Sequence, residues 1–142
     1  MRFIGEVDET LYRKITDSLG MIETEPMNLK IEGIGQFPPR RAPRVLWLGL
    51  EKNDKLVQLR NRIETALVRC GLEPEDRRFS PHITIARFKK APPAKHMRDY
   101  LTANNLFELP SFPLEEFKLY SSKLNSAGAI HRSEASYPIK SL

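Results

Sequence analysis

The chain has 142 residues, 40% of them hydrophobic and 29% charged, which suits one folded unit and excludes a disordered tail. Twenty-three Lys and Arg against 18 Asp and Glu leave +5, and no apolar run approaches the roughly 18 residues of a membrane-spanning helix. The opening Met1–Val7 lacks a signal peptide's long apolar stretch, and Cys70 is a single cysteine that forms no internal disulfide, so the default expectation is a cytoplasmic protein.

In chain order, Met1–Val7 is expected to be a short strand. Asp8 can cap a helix running to about Leu19, because Leu11, Ile15 and Leu19 recur every four residues, with Gly20 as its stop. Residues 29–34 alternate like a strand, and 36–43 read as a loop because their prolines cannot donate to a ladder. Residues 44–51 are apolar on both faces, which predicts a central, covered strand. A second helix is expected from Asp54 to about Cys70, with Leu56, Leu59, Ile63, Ala66, Leu67 and Cys70 on one stripe and Gly71 closing it. Residues 82–88 are strongly β-like, Pro92 or Pro93 opens a helix to about Ala103, and two strands near 113–124 and 129–139 finish the chain. Strands and helices alternate, yet several strand connections are short. That combination predicts an α+β fold with largely antiparallel sheets over 1–142 as a single domain. The strand-then-helix plan with Arg2-Phe3 recurs at Arg87-Phe88, which suggests two similar lobes.

Charge is unevenly spread. Residues 1–26 hold 3 basic and 6 acidic residues, whereas residues 77–98 hold seven basic ones (Arg77, Arg78, Arg87, Lys89, Lys90, Lys95, Arg98) and no acid. Such a field favours a phosphate-bearing ligand, the alternative being a solvated basic face. His82 and Thr84 are the sharpest pair in the chain. Two apart on a strand, they share one face, and an imidazole that shuttles protons sits beside a hydroxyl that can donate to a phosphoryl oxygen. Ile83 and Ile85 are then expected to face the core. A purely structural His82, hydrogen-bonded near the surface, is the competing reading. Strict alternation places Arg87 on the Ile83 face unless a bulge intervenes. His96 and His131 have no companion motif, and three histidines with one cysteine lack the paired spacing of a zinc site. No glycine-rich phosphate loop or Gly-x-Ser-x-Gly elbow is present.

The run Phe79-Ser-Pro-His-Ile-Thr-Ile-Ala-Arg87 resembles the second signature of the two-histidine (2H) phosphoesterases, in particular the RNA 2′,3′-cyclic phosphodiesterases also called 2′-5′ RNA ligases. Met1–Val7 is similar to the tail of that family's first signature, Gly33–Phe37 with Arg44–Gly49 to its middle strand pair, and Phe117–Ser122 to its late strand. The resemblance implies two pseudo-symmetric lobes of mainly antiparallel sheet, with helices on the outer faces and a groove between. It also implies hydrolysis of 2′,3′-cyclic phosphate ends to 2′-phosphomonoesters, with RNA ends or small cyclic-phosphate nucleotides as partners and no cofactor, metal or membrane. His82 would be the proton acceptor and Thr84 its phosphate-binding partner. Arg87, Arg2, Phe79 and Phe37 are candidate substrate-binding residues, and Tyr120 a further stacking candidate. By the same alignment the family's first His-x-Thr falls just before Met1. The domain is therefore expected to be N-terminally incomplete and its turnover impaired. A non-catalytic RNA- or nucleotide-binding remnant and a small cyclic-nucleotide phosphoesterase remain open as alternatives.

Overall fold

The computed structural model describes residues 1–139. In chain order the elements are α1 (Glu9–Gly20), β1 (Met27–Leu29), β2 (Ile31–Phe37), β3 (Val45–Leu50), α2 (Asp54–Arg69), β4 (His82–Arg87), α3 (Ala94–Ala103), β5 (Phe112–Leu114), β6 (Glu116–Asn125) and β7 (Gly128–Pro138). The pairings β2–β3, β3–β4 and β6–β7 are all antiparallel, so the fold class is α+β as the sequence predicts. The chain forms two compact units. The first comprises Met1–Met27, Asp54–Arg77 and the stretch from Pro113 onward; the second comprises Asn28–Asn53 and Arg78–Phe112. Among the described residues no helix is long and apolar enough to cross a membrane.

In the first unit, α1 packs on α2 and buries Ile15, Leu19, Leu56, Leu59, Ile63 and Leu67. These are the positions that helical periodicity brings onto one stripe of each helix. Asp8 caps α1, its side chain accepting the Leu11 N–H at 2.7 Å, a bond of the kind that contributes about 1 kcal/mol. Gly20 is the last helical residue and Met21 keeps right-handed geometry, so no left-handed glycine ends this helix. Gly71 does take that role after α2, with φ +106°. The β6–β7 hairpin is anchored at its root. Tyr137 stacks on Phe117 with ring centroids 4.9 Å apart, and its hydroxyl donates to the Thr16 carbonyl at 3.2 Å. Burial there pushes the Tyr137 phenol above its ordinary pKa. Met1–Val7 is not a strand. Gly5 has φ +89°, which breaks an extended run, and the segment is held by a side chain instead. The Arg2 guanidinium lies against Glu64 (Nε–Oε2 3.0 Å) and Glu75 (Nη1–Oε2 3.6 Å), and donates to the Glu73 carbonyl at 2.5 Å.

The second unit is built on the sheet β2-β3-β4, with β3 central as its apolar pattern predicts. Its buried apolar side chains include Leu29, Ile31, Leu46 and, from α3, Met97. Residues 107–109 close the outer edge of β2: Gly33 N–H donates to the Phe107 carbonyl (2.7 Å) and Leu109 N–H to the Ile31 carbonyl (3.0 Å). The expected strand at 29–34 is two strands, and β2 continues to Phe37 before the proline-rich turn begins. Ile83 and Ile85 do not join the core. They are 39% and 46% exposed, because β4 is an edge strand whose second face is left uncovered within this unit.

Candidate active site

The register of the second unit's sheet decides which side chains share a face. Gly49 pairs with His82, Trp47 with Thr84, and Val45 with Arg87. On β3, residues 45, 47 and 49 alternate onto one side, so His82, Thr84 and Arg87 stand together opposite them. Five positions separate His82 from Arg87, and strict alternation would put them on opposite faces. A bulge resolves this. The register slips between Leu46 and Trp47, where Ala86 pairs with Leu46 but Thr84 with Trp47, leaving Ile85 as the extra residue. Arg87 is thereby turned onto the His82 face. On the other side of β3, Phe37 pairs with Val45 and Gly35 with Trp47, which brings Phe37 to the same face.

His82 is exposed at the start of β4, and its ring is held from two directions. Nδ1 lies 2.6 Å from the Ser80 carbonyl. A carbonyl only accepts, so Nδ1 carries the hydrogen and Nε2 is left to take or give a proton. The Phe37 ring meets the imidazole edge-on at 5.0 Å between centroids, and Trp47 lies 6.3 Å away. Phe37 and Trp47 are 5.3 Å apart, so the three rings form one cluster. Glycines make room for it. A Cβ on Gly35 would fall inside the Trp47 indole, and one on Gly49 would lie 3.5 Å from it and 2.5 Å from the Glu32 carbonyl oxygen. The Trp47 Nε1–H is buried without a hydrogen-bond partner among the described residues. Trp47 is the site residue that sequence reasoning missed. Its signal was present in the strand alternation and in two glycines, Gly35 opposite it on β2 and Gly49 two residues further along β3.

The remaining predicted residues fall elsewhere. Phe79 is half-buried in the segment before β4. Arg2 belongs to the first unit's carboxylate cluster, so its guanidinium is committed to Glu64 and Glu75 and is not an open phosphate contact. His96 is exposed on α3, and His131 and Tyr120 are exposed on the β6–β7 hairpin. Among the described residues no group of three or more His, Cys, Asp or Glu side chains converges on a point that could hold a metal ion. Chemically, the face offers one proton-transfer nitrogen, one hydroxyl donor and one guanidinium in a row, backed by aromatic rings. That set suits a phosphoryl group.

A family model described as the 2′-5′ RNA ligase superfamily matches residues 3–125. The chain belongs to that family. Among its relatives, the RNA 2′,3′-cyclic phosphodiesterase of Aeropyrum pernix is 32% identical over 133 residues, covering 93% of this chain and 76% of the relative. The enzyme of the same name from Thermotoga maritima is 34% identical over 137 residues, covering 92% and 68%. The crystal structure of E.coli LigT complexed with 3′-AMP matches with a TM-score of 0.76 over 97% of this chain and 74% of that chain; at 24% identity it speaks to the fold alone. Within this 2′-5′ RNA ligase family member, the run Phe79–Arg87 that carried the resemblance supplies β4 and, with it, His82, Thr84 and Arg87.

Proposed function

We propose that the chain is an RNA 2′,3′-cyclic phosphodiesterase that opens terminal cyclic phosphates to 2′-phosphomonoesters. The observation that carries this reading is the His82–Thr84–Arg87 row, with Nδ1 committed to Ser80 and Nε2 left open. In this reading Nε2 accepts a proton from water as the water oxygen bonds to phosphorus. The bond from phosphorus to the ribose 3′ oxygen breaks, and that oxygen takes a proton from a second donor. The Thr84 hydroxyl donates to a non-bridging oxygen, where charge builds as the pentavalent centre forms. Kinship with the Aeropyrum and Thermotoga enzymes supports the same assignment.

The test is to incubate an RNA ending in a 2′,3′-cyclic phosphate with the chain and with His82→Ala, and to identify the product by phosphorus NMR. The reading expects a 2′-phosphate from the chain and a loss of about 10²–10⁴-fold in His82→Ala. A 3′-phosphate, or turnover indifferent to His82, contradicts it. A second reading, binding without turnover, is favoured by one observation. Within the second unit's face His82 is the one imidazole, while ring opening needs both a proton acceptor and a donor. Binding of the cyclic end that depends on Thr84, with no product, selects that reading.

A further inference from the structure

Two loops meet at the end of the second unit's sheet where β2 and β4 finish and β3 begins. Arg44 N–H donates to the Phe37 carbonyl and Phe88 N–H to the Arg44 carbonyl, both at 2.9 Å, and Arg44 Nη1 reaches the Lys89 carbonyl at 3.3 Å. Gln36 Nε2 ties the turn from within, donating to the carbonyls of Pro38 (2.9 Å) and Arg41 (3.0 Å). These bonds gather Arg40, Arg41, Arg44, Arg87, Lys89 and Lys90 around one edge. All six are exposed, and none forms an ion pair with a carboxylate among the described residues. No acidic residue occurs in 33–50 or in 77–98, so nothing in either loop neutralises them. Six crowded cations repel one another and do not stabilise the unit, so the arrangement calls for an anionic partner.

Its position selects the partner. Arg87 shares the His82 face, and because of the bulge their partners Val45 and Gly49 are four residues apart on β3, about 13 Å at ~3.3 Å per residue. Lys89, Lys90 and the turn that carries Arg40, Arg41 and Arg44 lie beyond Arg87, past the end of β4, so a single phosphate held at His82 and Thr84 cannot also reach them. A ligand touching both must carry several phosphates along an extended backbone. We propose that this end of the sheet is a second phosphate site, which takes the RNA backbone 5′ of the cyclic terminus and makes oligonucleotides better ligands than mononucleotides. The proposal rests on the reading of the His82 face given above and adds a length preference to it.

The experiment measures binding by fluorescence anisotropy of a labelled ten-nucleotide RNA ending in a 2′,3′-cyclic phosphate, with a 2′,3′-cyclic mononucleotide as competitor. It compares the chain with an Arg41→Gln, Lys89→Gln, Lys90→Gln variant whose fold is checked by circular dichroism. The oligonucleotide is expected to bind at least about tenfold tighter than the mononucleotide at low salt. Its affinity should fall with salt at a log–log slope of about −0.7 per phosphate engaged. The triple variant is expected to flatten that slope by about 2 and to bring the ratio of the two affinities close to one. Equal binding of oligonucleotide and mononucleotide by the parent chain, or a triple variant that keeps the length advantage, overturns the proposal. So does an acidic peptide of equal charge that competes as strongly as the RNA. Oligonucleotide binding with this slope but without hydrolysis refutes the catalytic reading and leaves the second phosphate site standing. His82-dependent hydrolysis with no length effect does the reverse.

Discussion

The two compact units carry opposite charge and use their cations differently. The first holds 12 basic and 14 acidic residues, net −2; the second holds 11 and 4, net +7. In the first unit Arg2, Arg13, Lys55, Arg77, Lys118 and Arg132 all lie against carboxylates. In the second, Lys30 and Lys95 are paired with Glu108 and Asp99, while the cations around the end of the sheet are not. The contrast is sharpest between the two Arg-Phe pairs that echo each other in the sequence. Arg2 is only 14% exposed and is clamped by Glu64 and Glu75; Arg87 stands exposed on the His82 face without a carboxylate. The same residue type in the same local pattern is a structural tie in one unit and an exposed cation without a carboxylate partner in the other. What differs is what distant parts of the chain place beside it.

Four substitutions can break or sharpen that comparison. The largest effect is expected from Thr84→Val, which keeps the strand but removes the hydroxyl beside His82. A loss of about 10²–10³-fold in turnover of a 2′,3′-cyclic nucleotide is expected, since one donor to a developing oxyanion is removed. Unchanged turnover would mean that Thr84 is only a strand residue. Gly35→Ala comes next. Its Cβ collides with the Trp47 indole, and overpacking of this kind costs about 1–3 kcal/mol, read as a lower denaturant midpoint. Arg2→Met against Arg87→Met then tests the comparison itself. Removing Arg2 leaves the mostly covered Glu64 without its cation and Glu75 with Arg77 alone, and should cost about 1–2 kcal/mol. Removing Arg87 should change stability by less than about 0.5 kcal/mol. Equal losses from the two would erase the distinction.

The smallest effect concerns pH. The backbone N–H of Arg77, with the Arg77 side chain, holds the Glu75 carboxyl below its ordinary 4.5. A carboxyl lowered by folding binds fewer protons in the native state. Its stabilisation is full above about pH 4.5 and is lost as pH falls through the lowered value. Melting of the parent chain should therefore steepen with acid below that pH, and Glu75→Gln should flatten the dependence. A variant with the same acid slope as the parent would remove Glu75 from the account.

Much of the fold was legible because it rests on local rules. Asp8 and the four-residue spacing of Leu11, Ile15 and Leu19 are enough to place α1, and the doubly apolar run around Leu46 and Leu48 marks a central strand. The His82–Thr84 pair was legible because strand alternation needs no partner. The misses are non-local. Met1–Val7 has strand composition, but the positive φ at Gly5 and the anchoring of Arg2 by residues 62 and 73 positions away set its actual course. Alternation shows that Ile83 and Ile85 share a face, not whether anything covers it. The bulge at Ile85 leaves no mark in composition, yet it decides on which side Arg87 stands.

The most direct test of the central claim, that the His82 face handles phosphate, is a nitrogen-15 NMR titration of the His82 ring with a 2′-phosphate mononucleotide. The account predicts the Nδ1–H tautomer in the free chain, because Ser80 accepts from Nδ1. It also predicts a saturable shift at Nε2 on titration, accompanied by a shift at the Thr84 amide. An Nε2–H tautomer, or a His82 ring whose signals do not move while the nucleotide binds elsewhere, would contradict it.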